Sequence, residues 1–100
     1  MINLEYYKNL LEQVRFVLQI IDQLKPVLVE FIQFAEDNMP ESKGTDKLKY
    51  VAECARAALS GVPEVLEKLD PMWDRFVGFI GAFARLQKLT GGVTPTKPTT

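Results

Sequence analysis

Residues 3–39 (NLEYYKNLLEQVRFVLQIIDQLKPVLVEFIQFAEDNM) constrain this chain more than any other stretch. They read as one long amphipathic helix with a single proline inside it. Leu4, Tyr7, Leu11, Val14, Leu18, Ile21, Leu28, Ile32, Ala35 and Met39 recur at spacings of three and four, broken only at Lys25 beside Pro26. Such spacing aligns side chains along one face of a helix. A second apolar set (Leu10, Val17, Ile20, Leu24, Val27, Phe31 and Phe34) lies beside the first, so the predicted buried face is broad. A narrow seam suits a simple coiled coil, whereas a face this wide calls for cover by at least two neighbouring helices.

Pro26 removes a backbone donor and crowds the carbonyl four residues earlier, which predicts a bend near residues 22–26. The helical period continues on both sides and favours a kink, while a complete break would divide the segment into two helices. Unbroken, the helix would run about 55 Å. The later helices are shorter, so none of them alone covers it.

Turn chemistry divides the remainder. Residues 40–44 (PESKG) form the first turn, with Thr45 the expected N-cap of a second helix and Asp46 favourable in its first turn. Leu48, Val51, Ala52, Ala55, Ala58 and Leu59 make one face of that helix, its alanines permit close packing, and Gly61 ends it. Pro63 opens a short segment, 63–69, at the position where a helix tolerates proline. Asp70 and Pro71 repeat the arrangement, with Asp70 the expected cap of a last helix reaching about residue 89. The tail, 90–100, has no apolar period and is expected to be disordered. One helical domain, 3–89, is therefore predicted.

The composition, 47% apolar and 25% charged, is that of an ordinary soluble chain. A net charge of −1 gives no bulk attraction to nucleic acid or anionic membrane. Without histidine, the commonest acid–base and metal-binding side chain is missing. Cys54 is the single cysteine, so an intrachain disulfide is excluded, and it reads as a small buried residue. Residues 76–84 form the longest uncharged apolar run, well short of the roughly 20 residues of a membrane span. No signal-peptide pattern opens the sequence, so the expected location is cytoplasmic.

A search for chemistry yields little. Glu12 with Asp22, Glu36 with Asp37 and Glu64 with Glu67 are paired carboxylates on predicted polar faces, where solvation accounts for them. Ser42 and Ser60 have no histidine to activate them. Gly91-Gly92 closes a helix instead of opening one, so it is no phosphate loop. Asp70, Asp74 and Arg75 fit helix capping. The expectation is a protein without catalytic, metal or cofactor-binding residues, and not an enzyme.

Surface candidates remain. Gly78 and Ala82 are four apart on the last helix, where small residues allow another backbone to approach, either the first helix or a partner. Two glycines in one helical turn, Gly78 and Gly81, cost about 1 kcal/mol each relative to alanine. Around them Trp73, Phe79 and Phe83 form an aromatic wall suited to a core or an interface. Tyr6 and Phe16 lie at the margin of the first helix's apolar face and are candidates for an exposed contact surface.

Residues 43–92 resemble a class of small bacteriophage proteins in which a Gly-Lys turn precedes an alanine-bearing helix, a GVP-E break (Gly61-Val62-Pro63-Glu64) and a terminal apolar helix ending in glycine. Some of these are termed holin-like for lying beside lysis genes. The resemblance implies a phage origin, a small accessory role and, if so, residence in the host bacterium. It does not extend to residues 3–39, where Arg15, Asp22, Lys25 and Glu30 are spaced through the helix in a way a holin's spanning segment is not.

The resulting expectation is an all-α antiparallel helical bundle built on one long N-terminal helix kinked at Pro26. Such a protein would work by binding a host or virion protein and would self-associate as a dimer or larger. The alternative is a membrane-associated lysis accessory using the 76–83 face as an interfacial helix. Nucleic acid is not an expected partner, and membrane association is disfavoured.

Overall fold

Asn3 begins the structure as a true cap: its side-chain oxygen accepts a hydrogen bond from the Tyr6 backbone N–H at 3.1 Å. Helix α1 then runs from Leu4–Asn38 without interruption. The computed structural model describes residues 3–95 and, among them, contains helices and turns but no strand. Helices α2 (Gly44–Ala58), α3 (Pro63–Leu69) and α4 (Trp73–Thr90) follow, joined by single 3₁₀ turns at Leu59–Gly61 and Asp70–Met72. The all-α expectation holds, with three principal helices and one short one.

Helix α1 passes through Pro26 and does not break there. Pro26 is exposed, so the lost donor faces solvent, while Leu24 and Leu28 on either side pack into the core and keep the helix in place. Helix α1 ends where Pro40 cannot extend it, after the Met39 N–H bonds the Ala35 carbonyl at 2.9 Å.

The contacts trace the path of the chain. Helix α2 comes back from the turn at 39–43, with Lys47 bonded to Glu36 and Tyr50 stacked on Phe34 at 5.8 Å between ring centres. Lys68, in α3, then sits 4.4 Å over the Phe16 ring. Arg75, at the start of α4, donates to Gln13 at 2.9 Å, and Lys88, near its end, pairs with Glu36. Helix α4 thus lies along residues 13–36 of α1 in the same direction as α1. As the width of its apolar face required, α1 has two long neighbours, α2 and α4.

The core is one cluster. Val17, Ile20, Ile21, Leu28, Ile32 and Ala35 of α1 meet Val51 and Ala55 of α2, Leu69 of α3, Phe76 and Ile80 of α4, and Leu59 from the first 3₁₀ turn. Each fully buried aliphatic or aromatic side chain in it contributes about 1.5–3 kcal/mol.

Three local expectations are corrected. The cap of α2 is Lys43 in extended backbone, not Thr45, and α2 begins at Gly44. Asp70 is not the N-cap of α4, a place taken by Met72; it closes α3, its N–H bonding the Leu66 carbonyl, and its carboxylate pairs with Arg56 at 3.4 Å. The tail does not leave the body directly after α4. Gly91 takes a left-handed φ of 84°, which turns the chain back so that Val93 is buried and its N–H bonds the Gln87 carbonyl at 3.2 Å. Thr94 then exchanges two hydrogen bonds with the Gln33 side-chain amide, at 2.8 and 3.1 Å. The remainder of the expected disordered segment, 96–100, lies outside the described residues.

Candidate interaction surface

The first turns of α1 have little cover, with Asn9 and Glu12 edging a pocket shared with Lys68 and Met72. Helix α4 starts beside Gln13, and between residues 3 and 13 every side chain is exposed except Leu10, which is half-buried. Leu4 is 77% exposed, Leu11 65% and Tyr7 51%, and the same stripe continues to Leu18 at 48%. These residues keep the spacing that buries their counterparts Ile21, Leu28 and Ile32 further along the helix. The result is an apolar arm whose first residues, 3–8, project about 9 Å past Asn9, which still lines a pocket with Lys68 and Met72. The molecule is correspondingly elongated, 54 × 35 × 20 Å, with a Cα radius of gyration of 15.1 Å against about 13 Å for a compact domain of this size.

At the other end, α1, α2 and α4 together line a groove of about 450 Å³. Its apolar lining is Ile32, Ala35, Leu48, Val51, Ile80 and Ala84, and Glu36, Lys47, Arg85 and Lys88 are its charged residues. The Glu36 side chain is only 4% exposed, and both of its oxygens are paired: Oε2 with Lys47 Nζ at 3.1 Å, Oε1 with Lys88 Nζ. A buried carboxylate is tolerated when cations and hydrogen bonds surround it this closely. Arg85 makes no ion pair among the described residues.

The two glycines of α4 differ. A Cβ on Gly81 would lie 3.2 Å from Leu48 Cδ2, so its absence lets α2 and α4 touch. A Cβ on Gly78 would meet nothing within 4 Å, and Gly78 lines the groove.

The residues singled out in the sequence do not form one site. Tyr6 is exposed on the arm, its ring edge-on to Tyr7 at 5.6 Å. Phe16 is half-buried beneath the Lys68 ammonium. Trp73 is half-buried between Phe76, at 5.2 Å, and the Arg56 guanidinium, 4.1 Å from its ring centre. Phe79 and Phe83 pack against the core, while Ala82 is exposed. Because Phe76 and Ile80 are fully buried, the 76–83 face is turned into the protein.

Sequence reading missed the arm's Leu4, Tyr7, Leu11 and Leu18 by assigning the whole stripe to the interior. It also placed Glu36 on a solvated face. Its position four residues after Ile32 and beside Ala35 was the available signal, since that phase points inward.

Cys54 is half-buried on α2, one turn after Tyr50. The Tyr50 phenol is held above its ordinary pKa, first by a hydrogen bond with Cys54, then by burial and by the charge of the Cys54 thiolate. Among the described residues, no cluster of three or more histidine, cysteine or carboxylate side chains is placed to hold a metal ion, and no helix is long and apolar enough to cross a membrane. Comparison with protein-family models, with curated proteins and with solved structures yields no match.

Proposed function

We propose that this protein is a small non-catalytic interaction protein that works by presenting the α1 arm to another protein chain. The observation that carries the reading is the row Leu4, Tyr7, Leu11 and Leu18, which keeps core-type spacing while standing in solvent. An ordered apolar stripe of this length left exposed on one side of a helix marks a contact surface. The resemblance of residues 43–92 to small phage accessory proteins fits such a role and suggests a host or virion protein as the target. In the same reading α1 bends at Pro26, and α2, antiparallel to α1, together with α4, parallel to it, holds the arm out from the body.

The lysis-accessory alternative has less support. Its interfacial helix needs the 76–83 face, whose Phe76 and Ile80 are buried.

Site-specific photo-cross-linking tests the reading. A photoreactive residue at position 11 should give discrete protein adducts in the cell of origin, and one at Glu53, exposed on α2 and outside the groove lining, should not. Absence of any adduct from positions 4, 7 and 11 would remove the proposal.

A further inference from the structure

We infer that the arm's partner is a second copy of this chain, whose groove between α2 and α4 receives it. The inference rests on the interaction reading and names the occupant.

The arm cannot fill its own groove. Both features belong to one continuous helix, α1, with the arm centred near residue 8 and the groove lined at Ile32, Ala35 and Glu36. That separation is about 40 Å along a rigid rod. An arm seated in the groove therefore comes from another molecule. Two α1 helices running antiparallel about a twofold axis bring each arm toward the groove of the other, which closes the assembly at a dimer.

Gly78 supplies an independent reason for close approach at the groove. Glycine inside a helix costs about 1 kcal/mol relative to alanine. At Gly81 the contact with Leu48 offsets that cost, but at Gly78 no contact among the described residues does. A helix backbone pressing into the groove would need that space.

Charge and area agree. Lys47, Arg85 and Lys88 against Glu36 leave the groove with a surplus of two positive charges. Across residues 3–13, Glu5, Lys8 and Glu12 leave the arm with a surplus of one negative charge. Leu4, Tyr6, Tyr7 and Leu11 are each more than half exposed. They offer on the order of 500 Å² on the arm alone, and a reciprocal exchange moves each chain toward the roughly 800 Å² per partner of a standard interface.

The test is absolute mass by light scattering on a sizing column, over a tenfold concentration range, for the full chain and two variants. The full chain should be a dimer. Leu11→Glu spoils the arm and Gly78→Leu fills the groove, and each should weaken dimerisation about 30-fold or more. Both should keep the fold, because Leu11 is exposed and the space at Gly78 is open. If circular dichroism shows Gly78→Leu unfolded, Arg85→Glu takes its place and should weaken the dimer through charge reversal.

An equimolar mixture of the two variants is decisive. Each then contributes one intact half, and a dimer with a single arm-in-groove contact should reappear. Several results overturn the inference: a full chain monomeric throughout, Gly78→Leu as dimeric as the parent, or a mixture that stays monomeric. So would dimerisation seen only after residues 96–100 are deleted, which would assign the groove to the tail. Position-11 cross-links to a different protein, from a monomeric chain, would sink this inference and leave the interaction reading standing.

Discussion

Glu36 shows how little a residue's type says about its surroundings. Its carboxylate is removed from water and depends on Lys47 and Lys88, which reach it from two different helices. Glu36→Gln keeps the shape and removes the charge, leaving two partly buried ammonium groups facing each other. We expect a loss of about 2–3 kcal/mol in urea unfolding, below the full cost of breaking a buried pair because both lysines retain some solvent. Unchanged stability would show that the three charges are not coupled. Tyr50 offers a second test at this scale. Its raised pKa means that the folded state holds the phenolic proton more tightly than the unfolded chain does. The associated stability is complete below the unfolded value, near pH 10, and is lost as the pH rises through the folded value. Cys54→Ala should therefore lower the Tyr50 transition in an ultraviolet phenolate titration. An identical transition would mean that the thiol is not its cause.

Among the elements, α1 carries the most information and the most internal contrast. From Val17 to Ala35 it is a core helix; before Gln13 it is a solvated arm of the same composition and period. Amide hydrogen exchange should divide it at that point, with fast exchange up to about residue 13 and strong protection from Val17 to Ile32. Uniform protection along α1 in the monomer would contradict the uncovered arm. Pro26 is the second point of interest. It is exposed within a continuous helix, so Pro26→Ala should restore a hydrogen bond and relieve crowding. We expect a gain of about 2 kcal/mol, reduced from the full helical penalty by the greater freedom of the unfolded chain. A loss of stability would indicate that the proline-imposed shape is needed for packing.

At the scale of the whole molecule, the core and the contact surfaces are separable. The buried cluster begins at Val17 and includes no residue of the arm. Deleting residues 1–13 should therefore leave cooperative unfolding intact, with a melting midpoint within a few degrees of the parent, while self-association is lost. Collapse of the fold on truncation would mean that the arm is structural.

The sequence by itself determined the helices, their order and most of the core. Periodicity, proline position and glycine stops are local properties, legible wherever a single stretch of chain specifies them. Pro63 at the start of α3 and Gly91 at the end of α4 fall in this class. Only the tertiary structure decided which part of the apolar stripe is covered, because the spacing of three and four runs from Leu4 to Ile32 while burial sets in only at Val17. It also decided that Glu36 is interior, that Gly78 and Gly81 have different neighbours, and that Val93 returns to the core. Each of these depends on contacts between residues far apart in the chain, and the end of α4's reach, at Gln13, is set by the lengths and angles of all the elements before it.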